Sequence, residues 1–233
     1  MTADLKAILF DVDDTLFDRH GAQLMALAAV VRQFPGVFAG IDHGIAVEAF
    51  LESDRIIVQE FSESDYAFGQ ARSRRQQLFL RLLGLDESPA EEMAKFYVEV
   101  YPRSHAPIEG AEAVVQELAA CFRLGIVSNG FPDVQYQKLE TLEIHRFFEC
   151  IVLSEELGIR KPDPGIFWRA TELLGVRPDD CLYVGDSYAN DVVGGKQAGM
   201  CVCWFNPGGQ AAPGDVLPDL EVRALREVVE VVL

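Results

Sequence analysis

The sequence predicts an α/β fold, a doubly wound parallel sheet interrupted by an inserted, all-helical segment. Three observations carry this. Short apolar runs rich in strand-favouring residues end in glycine or acidic residues. From about Ala106 onward such runs alternate with segments of helical periodicity. Between Phe17 and Ser104 the alternation stops, and apolar residues recur at helical spacing only. Repeated strand–helix alternation implies parallel strands joined by right-handed crossovers. The expected organisation is a core of residues 1–16 and 105–233 with an insertion at 17–104.

Ala7 to Phe10 is short and wholly apolar, as suits a central strand covered on both faces. It releases Asp11, Asp13 and Asp14 at its carboxyl edge, where open α/β sheets bind ligands. Two carboxylates at spacing two can take different protonation roles when their environments differ. Asp-Asp-Thr is equally what a plain turn looks like, and Asp14 is read as a turn residue. Within the insertion, Leu24, Leu27, Val31 and Phe34, then Ala46, Ala49 and Phe50, then Leu78, Phe79, Leu82 and Leu83, then Phe96, Tyr97 and Val100 mark about four helices. Arg72, Arg74 and Arg75 read as solvated helix charges, with contact to a second anionic group as the sharper alternative. Tyr66 and Phe68 read as packing, with stacking on a base or sugar as theirs.

Beyond the insertion, Val114, Val115, Leu118, Ala119 and Phe122 form a helical stripe before a strand that ends in Ser128, Asn129 and the turn at Gly130. A hydroxyl and the amides of a glycine turn suit phosphate oxygens. A helix over about Asp133–Leu142 and a strand near Cys150–Ser154 follow. Lys161 then sits in the proline-stiffened run Arg160-Lys161-Pro162-Asp163-Pro164, a fixed point charge ahead of the helical pattern Ile166, Phe167, Ala170, Leu173, Leu174. The strand Cys181–Gly185 delivers Asp186, with Asp191 five residues on, hard oxygen ligands of the kind Mg²⁺ takes. Asn190 is expected to cap a helix ending near Gly199. A strand at Cys201–Phe205, a Pro/Gly-rich loop at Asn206–Pro218 and a helix marked by Leu225, Val228, Val229 and Val232 close the chain.

Composition narrows the function. Among 233 residues, 20 Lys and Arg stand against 37 Asp and Glu, a net charge of −17. Such a field argues against nucleic-acid polymers and anionic membrane surfaces, and it leaves an anionic substrate dependent on local positive charge. No signal peptide, no apolar run of about 20 residues and no obligate protein partner is evident, so a soluble, cytoplasmic protein is expected. Cys121, Cys150, Cys181, Cys201 and Cys203 are odd in number and read as reduced thiols, mostly buried. No second cysteine or histidine pair follows Cys201 and Cys203 to complete a zinc site.

With these fragments in order, the chain resembles the haloacid dehalogenase-like (HAD) hydrolase superfamily. Asp11-Val12-Asp13-Asp14-Thr15 matches its first motif, Ser128-Asn129 the second, Lys161-Pro162 the third, and Gly185-Asp186 with Asp191 the fourth. The resemblance implies a Rossmann-like core with a variable helical cap that excludes water and selects the leaving group. It implies that Asp11 is a nucleophile forming an aspartyl phosphate, that Asp13 is the acid and base, and that Ser128, Asn129 and Lys161 bind the phosphoryl group. It also implies Mg²⁺ held by Asp11, the Asp13 carbonyl and Asp186, with Asp191 in an outer role. The implied reaction is Mg²⁺-dependent hydrolysis of a small phosphate monoester.

Ser128-Asn129-Gly130-Phe131 with Gln135, Lys138 and Leu139, Leu153-Ser154-Glu155-Glu156, and Cys203-Trp204-Phe205-Asn206 are further similar to the branch of pyrimidine 5′-nucleotidases and acylneuraminate phosphatases. That favours a nucleoside monophosphate, with a sugar-phosphate phosphatase or a phosphomutase as alternatives. A 2-haloacid dehalogenase needs neither metal nor proton-handling acid, so Asp13, Asp186 and Asp191 argue against it. Phosphonate cleavage needs a Schiff-base lysine in the insertion, where Lys95 is the only one.

Overall fold

The computed structural model describes residues 5–63 and 68–233. Its chain forms two compact units, one made of the residues up to Arg19 together with His105–Leu233, the other of His20–Ser104.

The first unit is built on a six-stranded, all-parallel sheet of order β3-β2-β1-β4-β5-β6. The strands are β1 (Ala7–Phe10), β2 (Arg123–Ser128), β3 (Cys150–Leu153), β4 (Cys181–Gly185), β5 (Cys201–Phe205) and β6 (Leu220–Val222). β1 lies between β2 and β4, with Leu9 in register with Gly125 on one side and Tyr183 on the other. That position is why all four of its residues are buried and why its sequence is apolar without alternation. The chain lays down β1, β2 and β3 in one direction and then returns to place β4 on the far side of β1. The switch point therefore falls at the carboxyl ends of β1 and β4, where doubly wound sheets bind ligands.

Around the sheet run α5 (Ala111–Ala119), α6 (Pro132–Thr141), the short α7 (Ser154–Leu157), α8 (Pro164–Leu174), α9 (Val193–Gln197) and α10 (Arg226–Val232), numbered after the four helices of the second unit. One core cluster joins Leu9, Val127, Val152, Tyr183, Val202 and Trp204 of the sheet to Ile166, Phe167, Ala170 and Leu174 of α8. Leu173, expected on that buried face, is instead 47% exposed, because the contact is made by the 166/167/170/174 stripe. α8 begins with Asp163, whose side chain accepts from Gly165 N at 2.8 Å, and stops at Gly175, whose φ of 62° is the left-handed conformation glycine adopts freely. Strand β6, inside the stretch after the 206–218 loop, was not anticipated; three residues pairing on one edge leave too short a pattern to read.

The second unit holds α1 (Arg19–Gln33), α2 (His43–Glu63), α3 (Phe68–Leu82) and α4 (Ala90–Val100). Its interior is aromatic. Phe79 stacks on Phe38 at 5.7 Å and meets Phe50 edge-on at 5.5 Å, and Tyr97 packs on Phe50 and Tyr101. The buried face of α1 is Ala22, Gln23, Ala26, Leu27 and Val30, so Leu27 packs inward as expected but Val30 replaces the expected Val31, because the stripe runs through the small Ala22 and Ala26. Leu82, expected inside, is 46% exposed in the last turn of α3. The arginine cluster divides. Arg74 pairs with Glu60 at 2.8 Å near the surface, whereas the partly buried Arg75 pairs with Asp54 at 3.1 Å with its guanidinium 4.1 Å from the Tyr97 ring centroid. Tyr66 and the side chain of Phe68 lie outside the described residues. Lys95 is 74% exposed and paired with Glu91, a setting that leaves its amine strongly basic and unsuited to Schiff-base chemistry. No helix among the described residues is long and apolar enough to cross a membrane.

Candidate active site

Three strand ends and two loops bring the sequence-predicted acids and lysine together in the first unit. Asp11 leaves β1 with its backbone amide still bonded to Val184 O of β4, so the nucleophile candidate is fixed by the sheet itself. Asp14, at φ 56°, makes the turn beyond, and its carboxylate accepts from Arg19 N. The turn reading of Asp14 thus has a physical basis, since Asp tolerates the left-handed region and bonds locally.

Lys161 is the hub. Its side chain is 3% exposed, and its ammonium contacts Asp11 Oδ1 at 2.8 Å, Asp191 Oδ1 at 2.7 Å and the Tyr183 hydroxyl at 3.0 Å. Burial alone would lower its pKa, but the two carboxylates outweigh that and raise it. Asn129 secures the lysine from behind. Its Nδ2 donates to Lys161 O at 3.0 Å while its Oδ1 accepts from Lys161 N at 2.8 Å. The Asn129 amide is therefore a strut for the Lys161 loop.

Asp191 is entirely buried. Its Oδ1 meets Lys161 and the Tyr183 hydroxyl, and its Oδ2 accepts from Ser187 N at 2.9 Å. The helix after β4 opens with a π turn at Tyr188–Val192, capped by Ser187, whose Oγ accepts from Asn190 N. Asn190 is not the cap that was expected; the extra residue of the π turn moves the cap back to Ser187 and turns Asp191 inward. Gly185 makes room for it, because a Cβ there would lie 2.5 Å from the Asp191 carboxyl carbon. Gly185→Ala is expected to push Asp191 off Lys161 and lower kcat about 10²-fold, the usual cost of a misplacement near 1 Å, with KM little changed. Steady-state kinetics beside a thermal melt checks this.

Asp186 is partly exposed. Trp204 Nε1 donates to its backbone carbonyl at 2.8 Å, and the Thr15 hydroxyl lies 3.4 Å from its carboxylate. One oxygen from each of Asp11, Asp186 and Asp191 falls within 4.8 Å of the others. Three carboxylates thus face one ammonium. Burial and the neighbouring acids push Asp11 up to about 7 and Asp186 up to about 8. The chain leaves excess negative charge here, and hard oxygen donors with unneutralised charge fit a small divalent cation.

Asp13 stands apart from this cluster. Its carboxylate is held by Lys138 Nζ and by Gln135 Nε2, the latter at 2.6 Å. Burial opposes its ionisation, but Lys138, Arg19 and the Gln135 bond outweigh burial, and its pKa is lowered. The Ser128 hydroxyl accepts from Gly130 N at 3.1 Å and lies 3.2 Å from Gln135 Nε2, so its own proton remains to be given. The Gly130 amide, expected to face phosphate, is committed to that hydroxyl. Tyr183, Gln135 and Lys138 had no role assigned from sequence. Two signals pointed at Gln135 and Lys138: they belong to the fragment that resembles the nucleotidase branch, and, three apart, they fall on the same helix face as the apolar Val134, Leu139 and Leu142.

This carboxylate-lysine centre, at the switch point of a six-stranded parallel sheet, defines a HAD-type hydrolase core. Residues 5–199 match the haloacid dehalogenase-like hydrolase family, and the chain belongs to it. It is similar to the glyceraldehyde 3-phosphate phosphatase of Methanopyrus kandleri, 32% identical over 98% of this chain and 97% of that one. It is also similar to the pyrimidine 5′-nucleotidase YjjG of Escherichia coli, 29% identical over 95% of both. Among solved structures, the magnesium-bound putative HAD-hydrolase YfnB of Bacillus subtilis superposes with a TM-score of 0.84 at 26% identity, covering 98% of each chain.

Proposed function

We propose that this protein is a Mg²⁺-dependent phosphomonoesterase that works through an aspartyl-phosphate intermediate on Asp11. The observation that carries this reading is the Asp11 carboxylate held by the Lys161 ammonium at 2.8 Å beside Asp186 and Asp191. Asp11 is rigid at the end of a central strand, as in-line attack on phosphorus demands. Lys161 neutralises charge on the phosphoryl oxygens and Ser128 donates its hydroxyl proton to one of them; Asp13, ionised in the free protein, takes up the proton that the monoanionic ester brings, passes it to the leaving oxygen and later takes one from water. Asp11, Asp186 and the Asp13 carbonyl would hold the cation. Asp191, with both oxygens occupied, acts through Lys161 and the outer shell. When bound, Mg²⁺ offsets the repulsion between a carboxylate nucleophile and a phosphate dianion.

The substrate class is a small phosphorylated metabolite. The likeness to the nucleotidase supports a nucleoside monophosphate, and the likeness to the triose-phosphate enzyme supports a sugar phosphate as the second reading. Phosphate release from a panel of both, with and without Mg²⁺, tests the proposal. Metal-dependent release supports it, and its ranking selects the class; absence of release across the panel overturns it.

A thermal melt gives a second check. In the metal-free protein Asp11 and Asp186 have folded pKa values above the carboxylate reference of 3.8. The folded state therefore binds more protons than the unfolded chain between about pH 4 and pH 8, and stability falls as pH rises through that window. Mg²⁺ at a hundredfold excess over its Kd adds about 2.7 kcal/mol, or roughly 5–10 °C in Tm. The gain is expected to be larger at pH 8 than at pH 5.5, and a gain independent of pH would exclude these two acids as the cation's ligands.

A further inference from the structure

We propose that Gln135 and Lys138 of α6 are positioning residues that hold the Asp13 carboxylate in one rotamer and tie it to Ser128. This rests on the reading of Asp13 as the proton-transfer group. Asp13 lies in the loop after β1, where nothing in regular structure restrains its side chain. Two side chains three residues apart on one helix face take its two oxygens separately, Lys138 Nζ on Oδ1 and Gln135 Nε2 on Oδ2.

Both clamp residues are costly choices. Lys138 is 1% exposed, with its ammonium also 4.7 Å from the Phe17 ring centroid. An ammonium is buried this far only where a charged partner repays its desolvation. Gln135 is wholly buried, and its Oε1 has no hydrogen-bond partner among the described residues. The amide cannot simply be turned over, because the oxygen would then face the Asp13 carboxylate. The chain thus leaves one acceptor unsatisfied to keep the NH₂ between Asp13 and Ser128, at 2.6 and 3.2 Å.

Gly130 supplies a third, independent sign. A Cβ at that position would lie 1.7 Å from Gln135 Nε2, so the glycine after the Ser128-Asn129 pair is the space into which Gln135 folds. The consequence is kinetic. A carboxylate that must protonate a leaving oxygen and then accept a proton from water needs one location in both half-reactions. A side chain free to sample rotamers spends most of its time misplaced, at a cost near 10²-fold.

The test compares the full-length protein with Lys138→Met, Gln135→Met and Gly130→Ala. Substrates are an alkyl phosphate, whose leaving oxygen needs a proton, and p-nitrophenyl phosphate, whose leaving group departs without one. The expected result is a fall in kcat on the alkyl ester of about 10²-fold with KM changed less than threefold, while the pre-steady-state burst of p-nitrophenol is retained. Gly130→Ala should reproduce Gln135→Met, which keeps the clamp testable should Lys138→Met fail to fold. An unchanged kcat on the alkyl ester, loss of the burst, or a rise in KM alone would overturn the clamp.

Crystal structures of wild type and variants, free and with Mg²⁺ and beryllium fluoride, give a readout that does not depend on turnover. Asp13 is expected in one position in the wild type and spread or displaced in the variants. An unmoved Asp13 in all three variants rejects the proposal. Absence of a fluoride adduct on Asp11 in the wild type instead rejects the phosphatase reading, while the free structures still decide the clamp.

Discussion

Asp11→Asn is expected to lower phosphomonoester turnover by on the order of 10⁴-fold or more, without unfolding the protein. The amide has nearly the volume of the carboxylate but is a far weaker nucleophile, so the covalent step loses its attacking oxygen. The fold should tolerate the change. Asp11 is one of three acids gathered around one lysine, and burial already pushes it up to about 7. Removing its charge relieves repulsion with Asp186 and Asp191, so the metal-free variant should melt no lower than wild type near pH 8. Phosphate release measured beside a melt separates the two effects. Retained turnover would sink the covalent mechanism, and a collapsed melting curve would mean that the Asp11–Lys161 contact is chiefly structural.

Lys161→Met is expected to lose comparable activity and, unlike Asp11→Asn, much of the stability. The ammonium is the shared partner of Asp11, Asp191 and the Tyr183 hydroxyl inside the protein. Deleting one partner of a buried ion pair usually costs about 3–5 kcal/mol, because the other charge remains without compensation. For a chain of this size that corresponds to a fall in Tm of roughly 10 °C. The deficit should shrink at acid pH, where the orphaned carboxylates take up protons in the folded state, and grow as pH rises. Lys161→Arg should not restore activity, since a planar guanidinium cannot sit as a point charge between two carboxylates and a phenol. Urea denaturation of the metal-free proteins at pH 5.5 and pH 8 measures both the size and the sign; a penalty independent of pH would mean that the loss is one of packing alone.

Most of the core was legible because its signals are local and repeated. Ala7–Phe10 and Cys181–Gly185 are strands with the expected bounds, and β3 differs by one residue. A strand buried on both faces must be a short apolar run, and the residue after it must enter a loop at the sheet edge. Asp11, Ser128 and Asp186 could therefore be placed at strand ends without coordinates. The helical stripes of the second unit were legible as helices but less so as faces. Val31 for Val30, and Leu82 outside, show that hydropathy marks a helix better than it marks which side packs.

What the sequence by itself determined is the order of the strands' cargo along the chain, the family, and the chemical types at the site: acids, a hydroxyl and one lysine. The tertiary structure alone decided who pairs with whom. It made Lys161 the common partner of Asp11 and Asp191, set Asn129 as a strut for the lysine loop, and drew Asp13 away from the acid cluster to Gln135 and Lys138. These contacts join residues 30 to 150 positions apart, from Lys161–Asp191 to Lys161–Asp11. Sequence periodicity reports which face of an element is buried. The partner across a sheet edge depends on strand order and on space such as that at Gly130 and Gly185, which exist only once the chain has folded.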